Sequence, residues 1–444
     1  MKRSRAVLLI LSASWLLSAC AAASPAAVRT PAPGDTGSPG SGGSSDIHSD
    51  VPQDLSPQAP DSDLAELVQG NSEFAFAMYR EIAAGDENLF YSPYSMSIAL
   101  AMTYAGAKGQ TADQMAQALH YTLPQEALHP AFNKLALELA SRSEIEDLEP
   151  DQVFRLHVAN SLWGQVDYHF EQDFLDLLAR NYGAGMRLLD FIKDPDGSRL
   201  VINEWVSRET EEKVKDIIPP GILDDLTRLV LANAVYFNAA WANPFPEEAT
   251  KPDSFRLLDG KTVDVPMMRQ RAEMRVMSGE GYRMAELPYV GGQLSMLVLL
   301  PDEGGLGGLE DRLDADLFSA AVGSLQGAEV DLAMPKFDFE WEAQKLPEAF
   351  KRLGMTDAFT GAADFSGMTG KPELHIGAIL HKSFVGVDEA GTEAAAATVV
   401  IMMRESAPIG APVEFTVDRP FLFLIRDNLT GTILFLGRVV NPVA

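Results

Sequence analysis

The residues able to do chemistry fail most tests for catalysis. No Gly-x-Ser-x-Gly turn presents a serine nucleophile in the folded region, and none of the seven histidines stands in a His-Glu-x-x-His pattern for zinc. Gly260-Lys261-Thr262 ends like a phosphate-binding loop, but Phe255 occupies the place of its first glycine. Carboxylates are abundant, 63 against 35 Lys and Arg, giving a net charge of -28 over 444 residues. They sit mainly on helix faces and turns, where solvation accounts for them. A surplus of that size excludes a nucleic-acid binder, which needs clustered cations to displace phosphate counterions. A single cysteine excludes a disulfide framework, Cys-rich zinc sites and iron–sulfur clusters. The expectation is a protein without cofactor or metal, and not an enzyme.

Two segments carry chemistry of another kind. The cysteine is Cys20, closing the run Leu17-Ser18-Ala19-Cys20 behind a basic Met1–Arg5 and an apolar Ala6–Leu17. That is a signal peptide over residues 1–19, too short in its apolar part for a membrane span. Small residues before a cysteine resemble the bacterial lipobox, which implies cleavage before Cys20 and diacylation of its thiol. Several acyl chains anchor a protein durably where one does not; an incidental cysteine behind a plain signal peptide is the alternative. The expected location is the cell envelope or surface, by the lipid, or outside the cell. Residues 20–63 are rich in Ala, Pro, Gly and Ser, and are expected to form a disordered tether.

The second segment runs Glu389-Ala390-Gly391-Thr392-Glu393-Ala394-Ala395-Ala396-Ala397-Thr398-Val399-Val400-Ile401. Small side chains at its leading end and β-formers behind them suit a stretch that is first exposed and later becomes a strand. No proline falls between Glu389 and Glu405, so no ladder donor is missing. Alanine is also the best helix former, and an Ala-rich helix is the alternative reading of the segment alone.

The elements that must position these segments fall into an α+β order. Apolar residues recur at helical spacing over Asn71–Ala84, Met96–Leu119, Phe174–Tyr182 and Leu200–Val214, with Asp63 and Ser95 as expected caps. Strands are expected over Leu229–Phe237, Leu294–Leu300, Glu329–Met334, Phe421–Ile425 and Thr432–Val440. Helices early and strands late argue against a doubly wound sheet. No linker recurs after Asp63, so residues 64–444 are expected to be one domain.

An ordered series of motifs decides the family. It includes Asn88-Leu89-Phe90-Tyr91-Ser92-Pro93-Tyr94-Ser95, Ala159-Asn160-Ser161-Leu162-Trp163, Leu229 to Phe237, Glu286-Leu287-Pro288-Tyr289, Met334-Pro335-Lys336-Phe337, Arg419-Pro420-Phe421-Leu422-Phe423 and Gly437-Arg438-Val439-Val440-Asn441-Pro442. In this order they closely resemble the serpin family from Leu64 to the C-terminus. The resemblance implies helices plus three β-sheets, a five-stranded central sheet A, and an exposed reactive-centre loop at about residues 389–413. It implies a monomeric suicide inhibitor of serine, or else cysteine, endopeptidases. The cleaved loop would insert into sheet A and displace the acyl-linked protease. A non-inhibitory binding or chaperone-like serpin is the alternative. The hinge would be Glu389, Gly391, Thr392, Glu393, Ala394, Ala395, Ala396 and Ala397, with Thr392, Ala394 and Ala396 facing inward. Ser92, Ser95, Asn233 and His381 would form a shutter beneath the sheet. Trp241 and Lys336 would form a breach at its top, with Lys336 paired to Glu389. In typical family members the hinge glycine lies fourteen residues before the residue preceding the cut, so the resemblance, counted from Gly391, implies a reactive bond at Glu405-Ser406. Arg404-Glu405 is the alternative, suited to a protease with an acidic pocket, and Met402 and Met403 would suit enzymes preferring apolar residues.

Overall fold

The computed structural model describes residues 45–83, 85–143, 154–343, 345–392 and 411–443. Cys20, the hinge residues Glu393, Ala394, Ala395, Ala396 and Ala397, and the bond candidates Arg404, Glu405 and Ser406 lie outside the described residues. In chain order the strands begin with β1 (Ser45–Ile47), β2 (Leu89–Tyr91), β3 (Arg155–Gln165), β4 (Met186–Leu189), β5 (Leu229–Ala240), β6 (Lys251–Arg256), β7 (Thr262–Gly279) and β8 (Tyr282–Pro288). They continue with β9 (Leu294–Pro301), β10 (Gln326–Pro335), β11 (Phe337–Glu342), β12 (Ala378–Val387), β13 (Gly391–Thr392), β14 (Val413–Thr416), β15 (Phe421–Asp427) and β16 (Ile433–Val439). The longer helices are α1 (Asp61–Ile82), α2 (Pro93–Tyr104), α3 (Gly109–Ala118), α4 (Gln125–Ser141), α5 (Gln172–Tyr182) and α6 (Pro195–Glu209).

One sheet has the order β1-β4-β3-β5-β13-β12-β11. Its five main strands, β4-β3-β5-β12-β11, are those expected of sheet A; β1 extends one edge and β13 is wedged into the middle. All twelve residues of β5 are buried, as a central strand covered on both faces requires. The expected sheets B and C form one network of nine strands, β14-β10-β7-β8-β9-β15-β16-β2 with β6 on β7. The cause is β7, whose 18 residues are long enough to run through both.

The main core fills the space between the sheets and α1 and α2. Phe90 stacks on Phe435 with ring centroids 4.9 Å apart and on Phe423 at 5.6 Å, a geometry that adds to the burial of the rings themselves. A smaller cluster, with Trp163, Phe191, Ile202 and Trp205, includes α6 residues and the side chains of Val230, Ala232 and Ala234 from β5. Ser92 caps α2, its Oγ accepting from the Ser95 N–H at 3.1 Å. Ser95 is therefore the third helical residue and not the cap, and α1 starts at Asp61, with Asp63 in its first turn. The run Met96–Leu119 is two helices, broken at Ala105–Lys108.

The boundary expected between tether and domain at residue 64 is too late. Strand β1 pairs antiparallel with β4, Ser45 opposite Leu188 and Ile47 opposite Met186. Behind it Ser49 Oγ donates to Asp176 at 2.5 Å, Gln53 Nε2 to Asn133 Oδ1 at 3.0 Å, and the Asp54 N–H to the Arg180 carbonyl at 2.9 Å. Gly185 permits the crossing: a β-carbon there would lie 2.6 Å from the Ile47 carbonyl oxygen. Ser45-Asp46-Ile47 is too short and polar to announce a strand; the free edge of β4 supplies its hydrogen-bond partners.

Candidate functional site

The geometry converges on the seam between β5 and β12. These two strands run parallel and pair over six rungs, from Val230 opposite Ala378 to Val235 opposite Ser383. Above those rungs they part, and β13 occupies the opening. Gly391 and Thr392 pair antiparallel with Ala240 and Ala239 of β5, and Thr392 also pairs with Val387 of β12. The hinge thus enters the sheet by two residues. Thr392 is 1% exposed and points into the core, where its Oγ1 lies 2.7 Å from the Tyr289 hydroxyl. Tyr289 stacks on Trp241 at 4.6 Å with the rings 9° apart.

A polar network lies beneath the closed part of the seam. Asn160, Asn233 and His381 share one rung, Asn160 opposite Asn233 and Asn233 opposite His381. In-register residues point to the same face, here toward the N-terminus of α2. His381 Nδ1–H donates to Asn233 Oδ1 across the seam, and Nε2 accepts from the Ser92 N–H at 3.2 Å. Asn233 Nδ2 donates to the Ser95 carbonyl at 2.9 Å, to Ser95 Oγ and to Asn160 Oδ1. Ser92 Oγ donates to the Leu434 carbonyl at 2.7 Å. Ser92, Ser95, Asn233 and His381 are therefore brought together. Asn160 joins them although the sequence reading did not single it out; its signal was its place in Ala159-Asn160-Ser161.

The opened end is held by backbone and charge. Trp241 Nε1 donates to the Asp388 carbonyl at 3.0 Å, and the N–H groups of Trp241 and Phe245 to the carbonyls of Ala390 and Glu389 at 2.9 Å. Asp388 Oδ1 accepts from the N–H groups of Ala390 and Gly391, at 2.9 and 3.2 Å, closing an Asx-type turn. Lys336 Nζ donates to Glu389 Oε2 at 2.7 Å, and Thr250 Oγ1 to Glu389 Oε1 at 2.8 Å. Partial burial pushes the Glu389 carboxyl up, but the Lys336 hydrogen bond, its own N–H and Thr250 together outweigh burial and hold it below its usual range. Hydrogen bonding to Glu389 raises the Lys336 ammonium in turn. Tyr289, Thr250 and Asp388 were not anticipated as members of this cluster; Tyr289 was visible only as part of a motif.

Chemically, the site contains no nucleophile activated by a base, and among the described residues no three His, Cys, Asp or Glu side chains gather to hold a metal ion. It is a mechanical site, a half-open seam with a strand started in it.

The comparisons with known proteins agree on what such a seam belongs to. The family profile described as Serpin (serine protease inhibitor) matches residues 69–442. Human Serpin B3 is 37% identical over 400 residues, covering 85% of this chain and all of its own. Leukocyte elastase inhibitor of Xenopus laevis is 37% identical over 393 residues, with the same coverage of both chains. The crystal structure of human thyroxine-binding globulin with its ligand superposes with a TM-score of 0.75 at 29% identity, covering 86% of this chain and all of that one. The chain belongs to the serpin family. Its broad activity is protease inhibition, not catalysis.

Two outcomes follow from the seam. Burial lowers the His381 pKa to about 3, and Nε2 must stay unprotonated to accept from Ser92. The unfolded histidine titrates near ~6.5. Between those values the unfolded state binds the extra proton, so this stability is present above about pH 6.5 and is lost as pH falls. Urea midpoints should therefore decline from about pH 7 to about pH 5, and His381→Gln should flatten the decline. His129, lowered to about 4 by burial, retains its own share; an unchanged slope in the variant would refute the assignment to His381. At the opened end, Lys336 is 44% exposed, so solvent limits its ion pair to about 1 kcal/mol or less. Lys336→Ala should raise the rate of self-association on mild heating, followed by native gels, and an unchanged rate would show that the pair does not restrain the seam.

Proposed function

We propose that this protein is a suicide inhibitor of serine-class endopeptidases, exported and held on a membrane by lipid on Cys20. The observation that carries the mechanism is the entry of Gly391-Thr392 between β5 and β12. The protease serine attacks the carbonyl carbon at the bait bond and the C–N bond breaks. The following residue leaves as a new amino terminus, taking a proton from the protease's general acid, and an ester joins protease to loop. Glu405-Ser406 is the bond favoured by the count from Gly391, and Arg404-Glu405 the alternative.

Freed at that bond, the loop continues the ladder that β13 begins. If an inserted loop kept the registers of Gly391 and Thr392, Thr398 would come opposite Asn233 on one side and His381 on the other. Its hydroxyl would replace the hydrogen bond between those two side chains as the seam opens. One parallel ladder would be exchanged for two antiparallel ones, and antiparallel pairing is the more stable per residue. Insertion faster than ester hydrolysis traps the protease; slower insertion releases it.

A gel of the full chain against trypsin, elastase, subtilisin and a glutamyl endopeptidase tests this reading. A complex that survives boiling in detergent is expected with at least one; cleavage without complex would favour the non-inhibitory binding or chaperone-like alternative. Thr392→Arg tests the mechanism. It would force a guanidinium against buried Tyr289 with no counter-ion, at a cost of several kcal/mol. The variant should be cut at the same bond and leave the protease active, whereas Glu393→Arg, which would fall on the opposite side of an inserted strand, should inhibit nearly as well as the parent. A boiling-stable complex with unchanged stoichiometry in Thr392→Arg would overturn insertion as the mechanism.

A further inference from the structure

One rung of the central sheet runs from the segment ahead of the family match to the foot of the seam. Asp46 of β1 stands opposite Arg187 of β4, Arg187 opposite Trp163 of β3, Trp163 opposite Val230 of β5, and Val230 opposite Ala378 of β12. In-register residues share a face. Trp163 is three residues on from Asn160, so this face is the one turned away from α2 and covered by α6. There Trp163 meets Trp205 of α6 edge-on, with ring centroids 5.7 Å apart and the planes at 75°. The Arg187 guanidinium lies over both rings, 5.4 Å from the Trp163 centroid and 5.3 Å from that of Trp205. Its one carboxylate partner among the described residues is Asp46, with Oδ2 3.5 Å from Nη1. Both indole N–H groups are buried, and among the described residues neither has a hydrogen-bond acceptor. The two rings are thus oriented by packing and by the guanidinium, with no hydrogen bond to fix them.

From this rung we infer that Asp46 and Arg187 form a latch by which residues ahead of the family domain set how readily the seam between β5 and β12 opens. Helix α6 covers the closed end of the seam on both sides. Its Ile202, Trp205 and Val206 share one cluster with Val230, Ala232 and Ala234 of β5 and with Ala378 of β12. Parting of the two strands must therefore loosen α6 from one of them. A cation over aromatic faces is held by the ring quadrupoles, more strongly where water is excluded, and the Arg187 side chain is only 21% exposed. Asp46 holds the outer edge of that guanidinium. Without it the arginine can turn its charge to water while its stem stays on the rings, and the indoles lose their clamp. Asp46 is itself fixed, since Ser45 and Ile47 pair with Leu188 and Met186 on either side of it and Ser49 binds Asp176. The family profile begins at residue 69, so this half of the latch belongs to the chain's own leading segment. Control of opening stands on this geometry; its bearing on inhibition rests on the proposed insertion.

The test is amide hydrogen exchange of the full chain, read by mass spectrometry in peptides covering 229–235 and 378–383, with peptides of β15 and β16 as the internal reference. Asp46→Asn should speed exchange in both seam peptides about two- to fivefold, and Arg187→Met about tenfold, while the reference peptides keep the parent's rate. The double variant should be no faster than Arg187→Met alone, because the latch is already gone. Asp46→Glu, which keeps the charge, should exchange as the parent does. A contact that merely adds stability would lower the urea midpoint and speed all peptides together, and that result overturns the latch. Additive effects in the double variant, or seam peptides at the parent's rate in Asp46→Asn, overturn it as well. The same proteins are run against proteases for a boiling-stable complex. If the parent forms none while Asp46→Asn still speeds the seam peptides alone, inhibition by insertion fails and the latch is upheld.

Discussion

Everything in this molecule depends on the six parallel rungs that join β5 to β12. They are the weaker kind of pairing, set at the centre of the sheet directly below the two-residue strand β13. Parallel ladders are slightly less stable than antiparallel ones, and here both neighbours already show an antiparallel alternative, in β13. The rest of the fold either keeps that seam closed or makes its opening possible. The hydrogen bond from His381 to Asn233 crosses it, and α2 supplies Ser92 and Ser95 to hold both side chains in place.

Stability of this sort is kinetic. On the proposed mechanism the closed form would persist because opening breaks rungs and a buried polar network before any new pairing is gained. A buried histidine suits the task, being able to donate with one nitrogen and accept with the other. It also makes the seam sensitive to protons, since protonation removes the acceptor on which the Ser92 N–H relies. At the other end the restraint is lighter. Lys336 is half-exposed and Glu389 mostly buried in their ion pair, while Asp388 and Trp241 bind backbone.

The sequence made the fold legible where burial was strong and local. The apolar run of β5, the paired apolar strands near the C-terminus and the periodicity of α5 all stand where their patterns put them. Legibility failed where structure depends on distant partners. Ser45–Ile47 has no strand pattern of its own and forms one because β4 has an open edge. The break between α2 and α3 was hidden by apolar residues that continue through it. Within the site, the clustering of Ser92, Ser95, Asn233 and His381 came from motif resemblance, since no spacing along the chain joins residues 92 and 381. Asn160 and Tyr289 stood inside quoted motifs, yet only the rung register and the ring stacking show what they touch.

If a parallel seam is the stored instability, cleaving the loop should relieve it without any protease remaining attached. The direct measurement is thermal unfolding of the intact protein and of the same protein nicked once between residues 393 and 410 by a protease that forms no complex. The account predicts that the nicked protein, though it has one covalent bond fewer, melts well above the intact one and no longer self-associates on heating. A nicked protein that melts at the same temperature or lower would contradict it.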